Sequence, residues 1–171
     1  MKNIPSVDLN DFLSNDIDKK KAFVSKLGKA YNEIGFVALK GHFLDDNDIK
    51  EVYSSIKEFF DLPEEIKAKY ELDGFDGQRG YTSFGKEHAK GKKHGDLKEF
   101  WHFGQYLDDD EYTKFNYPKN QIVTELPKFN NIGKKVFQSL EKTAIYVLRA
   151  ISLYLDLEED HFDKYVKKGN S

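Results

Sequence analysis

Phe23-Val24-Ser25-Lys26-Leu27-Gly28-Lys29-Ala30-Tyr31-Asn32-Glu33-Ile34-Gly35-Phe36-Val37-Ala38-Leu39 reads as helix, stop signal and strand with almost no linker. Phe23, Leu27, Ala30, Tyr31 and Ile34 fall on one face of a helix, and Asn15 or Asp16 upstream can accept from its first amides. Gly35 stands where a glycine ends a helix in the left-handed conformation. The apolar run Phe36-Val37-Ala38-Leu39 that follows predicts a buried strand. Helix and strand in immediate succession place the chain among folds that mix the two.

Outward from this stretch, Ile4 to Leu9 predicts a short extended segment opened by Pro5. Downstream, Asp45 or Asp46 caps a second helix with the stripe Ile49, Val52, Tyr53, Ile56, Phe59 and Phe60, and Asp48 adds a carboxylate at its positive end. Leu62-Pro63-Glu64-Glu65 interrupts that helix and starts a short one running to about Glu71. Residues 72–93 are polar and rich in glycine, the composition of a mobile or functional loop, with a strand predicted over Tyr81-Thr82-Ser83-Phe84. Leu97 to Phe103 predicts a second strand. Tyr106 to Thr124 reads as irregular. Pro127 opens a helix of about 30 residues, roughly 45 Å long, with the stripe Ile132, Val136, Leu140, Ala144, Val147, Leu148, Ile151 and Leu155. A last helix is predicted over Glu158 to Lys168. The pattern is α+β, rich in helix, with one long scaffold helix and a few short strands.

Composition narrows the function. The 171 residues carry 27 basic and 30 acidic side chains, a net charge of −3, and 15% aromatic residues. Arg79 and Arg149 are the sole arginines, so the net positive charge and arginine forks of a nucleic-acid reader are missing. The longest apolar run, Ala144 to Leu148, is far short of the roughly 20 residues of a membrane span. No signal-peptide stretch opens the chain. The absence of cysteine excludes disulfides, thiolate metal sites and cysteine nucleophiles, and fits a reducing cytoplasm. We therefore expect a cytoplasmic protein that engages neither nucleic acid nor membrane.

In Lys98-Glu99-Phe100-Trp101-His102-Phe103 polar and aromatic residues alternate with period two. Glu99, Trp101 and Phe103 share one face of this strand; Lys98, Phe100 and His102 share the other. One reading packs the strand's aromatic rings into a core. The other has a face line a substrate tunnel, with Trp101 and Phe103 as its contacts, since indole offers a donor on an apolar platform.

Ile4-Pro5-Ser6-Val7-Asp8-Leu9, the helix ending in Gly35-Phe36-Val37, and Phe59-Phe60-Asp61-Leu62-Pro63 occur in a familiar order. Gly80-Tyr81 and Asp96-Leu97-Lys98-Glu99-Phe100-Trp101-His102-Phe103-Gly104 follow, and then Leu155-Asp156-Leu157-Glu158-Glu159-Asp160-His161-Phe162-Asp163. Together they resemble the N-terminal region of the isopenicillin N synthase-like, non-haem Fe(II)/2-oxoglutarate-dependent dioxygenases. The resemblance implies that residues 1–171 form the substrate-side N-terminal domain of such an oxidoreductase. The double-stranded β-helix (jelly-roll) barrel that carries the family's catalytic site would be absent from this chain and is expected after residue 171. Fe(II) and 2-oxoglutarate are expected for the complete enzyme and neither for this chain alone. The complete enzyme would hydroxylate, desaturate or cyclise a small organic substrate. The chain by itself would be inactive, and would associate with itself or with a barrel-bearing partner. The alternative is a non-catalytic binding module derived from the same family.

The resemblance also implies that Arg79 and Tyr81, beside the Gly-Tyr step, contact substrate. The family's metal pair is His-x-Asp, with a distal histidine and an arginine that grips 2-oxoglutarate; two imidazoles and a carboxylate leave iron positions open for cosubstrate and dioxygen. His94-Gly95-Asp96 and His161-Phe162-Asp163 match the pair nominally. No arginine follows Arg149, and no histidine follows His161. No catalytic or metal-binding residue is therefore expected in this chain.

Overall fold

The structure, a computed structural model, describes residues 3–75, 77–87 and 95–166. Their elements run β1 (Ser6–Asp8), α1 (Leu9–Leu13), α2 (Ile17–Glu33), β2 (Ala38–Lys40), α3 (Asp46–Phe60), α4 (Glu64–Lys67), a 3-10 turn (Ala68–Tyr70), β3 (Gly80–Thr82), β4 (Phe100–His102), α5 (Asp109–Phe115), α6 (Pro127–Tyr154) and α7 (Asp163–Val166). The described strands make two separate two-stranded sheets, β1 parallel to β2 and β3 antiparallel to β4. The fold is the expected helix-rich α+β arrangement, with no closed barrel among the described residues.

These residues form two compact units, 3–44 with 138–166 and 45–137. In the first, Asp16 caps α2 by accepting from the amides of Asp18 and Lys19, and Gly35 ends it at φ +83°. Asp8 caps α1 in the same way through the amide of Asn10; the sequence pattern did not reveal this five-residue helix, which is shorter than two turns. Phe12, Phe23, Leu27 and Ala150 are buried together with Val7 and Leu9, and Val37, Leu39, Tyr146 and Val147 pack against them. Leu27 is fully enclosed, whereas Leu148 is only partly buried and outside this cluster. Leu27→Ala is expected to cost about 2–5 kcal/mol and Leu148→Ala distinctly less; a denaturant titration of both variants checks the order.

The second unit centres on rings. Phe59, Tyr70, Tyr81, Val123 and Phe129 are buried together, with Trp101 and Phe103 packed against them. Phe59 stacks on Phe129 at 5.0 Å and meets Trp101 edge-on at 4.7 Å. α3 is capped by Asp45. Its inner face departs from the expected stripe: Tyr53 is 71% exposed, while Asp48 and Ser55 are buried. Asp48 tolerates burial because Lys135 Nζ lies 2.6 Å from its carboxylate, a partner contributed by a remote part of the chain.

Four further expectations are corrected. The strand after Gly35 is not buried: Phe36 is 68% exposed and the outer face of β2 is open, because a two-stranded sheet covers one side only. Residues 106–124 are not wholly irregular: Asp109, Asp110 and Glu111 occupy the first turn of α5, where carboxylates suit the helix dipole, and Asn116 ends it at φ +53°. α6 begins at Pro127 as expected, but beyond Val136 its stripe is kept only in part, with Val147 and Ile151 packed against the core. Leu140 and Leu155 are 50% and 53% exposed, and Ala144 is exposed too. Thr143, Ala150 and Ser152 are buried there, and Tyr146, Val147 and Ile151 are partly buried against the core. Ala144 to Leu148 is apolar all round, so periodicity could not select a side. The last helix is α7, shorter than expected, and the Lys167–Lys168 end of that prediction lies outside the described residues.

Candidate functional site

The β3–β4 hairpin organises the second unit, and its two faces have different chemistry. Its register pairs Gly80 with His102, Tyr81 with Trp101 and Thr82 with Phe100. Tyr81 and Trp101 therefore share the inner face, continued by Glu99 and Phe103. Gly80, Thr82, Phe100 and His102 share the outer one. The period-two alternation of residues 98–103 predicted this division of β4.

The inner face carries a charge cluster against the aromatic core. Lys67 Nζ lies 2.7 Å from Glu99 and 3.3 Å from Glu64, and the Tyr81 hydroxyl donates to Glu99 at 2.6 Å and to Glu64 at 3.1 Å. Lys67 is 5% exposed and Tyr81 fully buried. Burial pushes the Tyr81 phenol well above its ordinary range, and the hydrogen bonds to Glu99 and Glu64 push it further. Burial pulls the Lys67 ammonium down, but hydrogen bonds and attraction from the same carboxylates outweigh it and leave it raised. Both groups are protonated in the fold. Their contribution is complete below the unfolded values of about 10, and it is lost as pH rises through the higher folded values. The second unit is accordingly expected to lose stability with rising pH above about 10. Tyr106 is half-buried, and desolvation pushes its phenol up to about 12, with Tyr112 adding to the effect. An absorbance titration of the phenolates is expected to show late steps that Tyr81→Phe and Tyr106→Phe each remove.

The outer face lines a cavity of about 370 Å³, bounded by Thr82, Phe100 and His102 on the hairpin and by Glu71, Asp73, Gly77 and Lys86 around it. Phe100 and His102 meet edge-on at 4.8 Å, and His102 Nδ1 is held by the Gly77 carbonyl. Glu71 accepts from the Ser83 amide at 3.1 Å and from its hydroxyl at 3.2 Å, and pairs with Lys86 at 3.1 Å. Burial raises its carboxyl, but these partners overcompensate and hold it below the usual range. The Glu71 contribution is present above the unfolded value of about 4.3 and lost as pH falls. Thr82 is 6% exposed, and its hydroxyl lies against Gly77 with no hydrogen-bond partner among the described residues. Asp73 makes no ion pair among the described residues. The wall thus combines an aromatic edge, an imidazole, a hydroxyl and a carboxylate, the mixture that orients a small polar molecule.

The four residues expected to contact substrate lie as follows. Tyr81 borders the cavity, although its hydroxyl is engaged with Glu99 and Glu64 on the inner side. Trp101 and Phe103 point into the aromatic core, 5.0 and 5.3 Å from Phe129; Phe100 and His102, from the opposite face of the same strand, line the cavity instead. Arg79 is 4% exposed and donates to the Gln78 carbonyl at 2.6 Å. Its guanidinium lies so close to Gly104 that a Cβ there would fall 1.8 Å from Cζ, so any side chain at that position would have to displace Arg79. Asn120 holds this turn, accepting from the Gly104 amide at 2.7 Å and donating to the Gly104 carbonyl at 2.9 Å. Sequence reasoning missed Thr82, Glu71 and Asn120. Thr82 could have been found from its place one residue after Tyr81, on the other strand face; nothing local marks the other two.

Iron does not fit the described residues. Among them no three histidine, aspartate or glutamate side chains converge on one point. Asp163 is engaged by Arg149, at 2.6 Å from Nη2 and 3.3 Å from Nε. The ring of His161 packs on Phe162 and Tyr165. His94 lies outside the described residues. Also among the described residues, no helix is long and apolar enough to cross a membrane.

Residues 4–125 match the family model described as the N-terminal region of non-haem dioxygenase in morphine synthesis. A 1-aminocyclopropane-1-carboxylate oxidase of Dictyostelium mucoroides is 29% identical over 96% of this chain and 45% of its own length. A 2-oxoglutarate-dependent dioxygenase of Aspergillus flavus is 32% identical over 76% of this chain and 36% of its own. Among solved structures, a 2OG-Fe(II) oxygenase family protein of Caulobacter crescentus superimposes with a TM-score of 0.84 and 35% identity, covering 99% of this chain and 54% of that one. A full-length Neurospora crassa protein, solved in complex with alpha-KG, shares the fold with a TM-score of 0.74 at 23% identity, covering 94% of this chain and 46% of that one. The chain spans about half the length of the relatives it matches.

Proposed function

The chain belongs to the non-haem dioxygenase N-terminal family, and from that membership we propose that it is the substrate-side half of an Fe(II)/2-oxoglutarate-dependent oxygenase. The hairpin cavity carries this reading, because it gathers aromatic and polar side chains on one strand face within the family-matched region. In this proposal Phe100 and His102 form one wall for a small organic substrate, with the Thr82 hydroxyl and the Asp73 carboxylate as its polar points. Tyr81, Trp101 and Phe103 set the wall's position from behind, and Arg79 braces the turn at Gly104 through which β4 leaves. Iron and 2-oxoglutarate belong to residues outside those described here, and no chemical step is assigned to this chain. The whole enzyme's oxidation, whether hydroxylation, desaturation or ring closure, is part of the same proposal. So is a cytoplasmic location, supported by the absence of cysteine.

The test joins this chain, as one polypeptide, to the second half of the Caulobacter crescentus relative and follows succinate formation from 2-oxoglutarate. The joined protein is expected to turn over 2-oxoglutarate and the chain alone is not. A panel of small organic acids, amines and heterocycles is expected to perturb the amides of Thr82, Phe100 and His102 in nuclear magnetic resonance spectra. Ligands that bind but perturb only residues away from this face would overturn the assignment of the wall. Succinate production by the chain alone would overturn the half-enzyme reading.

A further inference from the structure

The hydrogen-bonding capacity of the hairpin cavity is one-sided. The Gly77 carbonyl can only accept, so the His102 Nδ1 that it holds carries the ring proton. Nε2 of the neutral ring is thereby left as an acceptor. The Thr82 hydroxyl, buried in the same wall, has no hydrogen-bond partner among the described residues. A buried polar group in that condition calls for a partner, and a ligand in the cavity can supply it.

Charge points the same way. Among the described residues at and beside the cavity, the carboxylates of Glu71, Asp73, Glu87 and Asp96 stand against the ammonium groups of Lys86 and Lys98. Lys86 pairs with Glu71, and Lys98 pairs with Glu87 and Asp96. Both cations are therefore engaged, and the Asp73 carboxylate on the wall has no counter-charge among the described residues. Phe100 adds a ring face suited to a cation; Lys98 Nζ already lies 5.5 Å from its centre. No three carboxylate or imidazole groups converge among the described residues, so the missing counter-charge is not that of a chelated metal ion.

We propose that the hairpin cavity takes a small organic cation, an amine or a guanidine, with its nitrogen toward Asp73 and His102 Nε2 and its carbon skeleton along Phe100. A neutral molecule would leave Asp73 uncompensated, and an anion would set like charges side by side. The volume of about 370 Å³ suits a small molecule. The proposal rests on the reading of this cavity as the substrate wall and adds the sign of the substrate's charge.

Titration of the chain with benzylamine, benzyl alcohol and benzoate tests it, because the three share a ring and a similar size but differ in charge. Shifts of the Thr82, Phe100 and His102 amides in nuclear magnetic resonance spectra give each affinity. Benzylamine is expected to bind about fivefold more tightly than benzyl alcohol, the upper range for one exposed ion pair, and benzoate is expected to bind weakest. Equal affinities on this face, or a preference for benzoate, would leave the substrate wall standing and overturn the cation. Shifts from none of the three on this face would remove the wall and the proposal together. Asp73→Asn adds a second measurement. Asp73 is exposed, so the variant is expected to fold, and its amide spectrum away from the cavity checks that. Its affinity for benzylamine is expected to fall about threefold or more, closing most of the gap to benzyl alcohol. An unchanged gap would overturn Asp73 as the partner of the cation.

Discussion

Phe59→Ala is expected to destabilise the unit of residues 45–137 by about 3–5 kcal/mol, the range for emptying a fully enclosed phenylalanine site. Phe59 has no exposed surface and lies within ring contact of Phe60, Tyr70, Tyr81, Trp101 and Phe129. All of these but Phe60 come from other stretches of the chain, so no single segment can close the space by a local shift. Trp101, the one tryptophan, reports the change directly, because its ring centre is 4.7 Å from that of Phe59. A denaturant titration followed by its fluorescence measures the loss, and Phe59→Leu should recover part of it. A cost below about 1 kcal/mol would mean that the rings repack freely. The consequence reaches the cavity, because Trp101 and the cavity residues Phe100 and His102 belong to the same strand.

Lys67→Met is expected to cost about 3 kcal/mol, since removing one partner of a buried pair leaves the other charge uncompensated. Glu99, whose side chain is 17% exposed, would keep the Tyr81 hydroxyl as its one partner among the described residues. The same principle predicts that Glu99→Gln in the Lys67→Met background recovers part of the loss. A double-mutant cycle is expected to show coupling of more than about 1 kcal/mol. Additive effects would mean that water, rather than Lys67, compensates Glu99.

The site was legible to the extent that strand alternation reaches. Period two separated Glu99, Trp101 and Phe103 from Phe100 and His102, and the structure keeps that separation. Alternation does not say which face meets the core. Phe59 and Phe129 decide it by stacking behind Trp101, and neither is near β4 in sequence. Arg79 drew attention as one of two arginines. Its contact with Gly104 and the Asn120 clamp depend on a turn well downstream, which no local pattern marks.

Local signals determined the starts and ends of the main helices, since Asp16, Asp45, Gly35 and Pro127 act through backbone groups within a few residues of themselves. They determined the strand segments around Tyr81 and Trp101 and the α+β class, and the order of those segments revealed the family. Tertiary structure alone decided how far the inward side of α6 departs from the expected stripe beyond Val136, keeping Val147 and Ile151 at the core but not Ala144. Ala144 to Leu148 is apolar on every side, so only the positions of Phe12, Phe23 and Phe43 select Tyr146 and Val147 over Ala144 and Leu148. It also decided that Asp48 and Lys67 can be buried, because the charges that make burial tolerable, on Lys135 and Glu99, come from distant segments. Hydrogen-bonding geometry near a residue is written in its neighbours; desolvation and charge compensation depend on what the folded chain brings beside it.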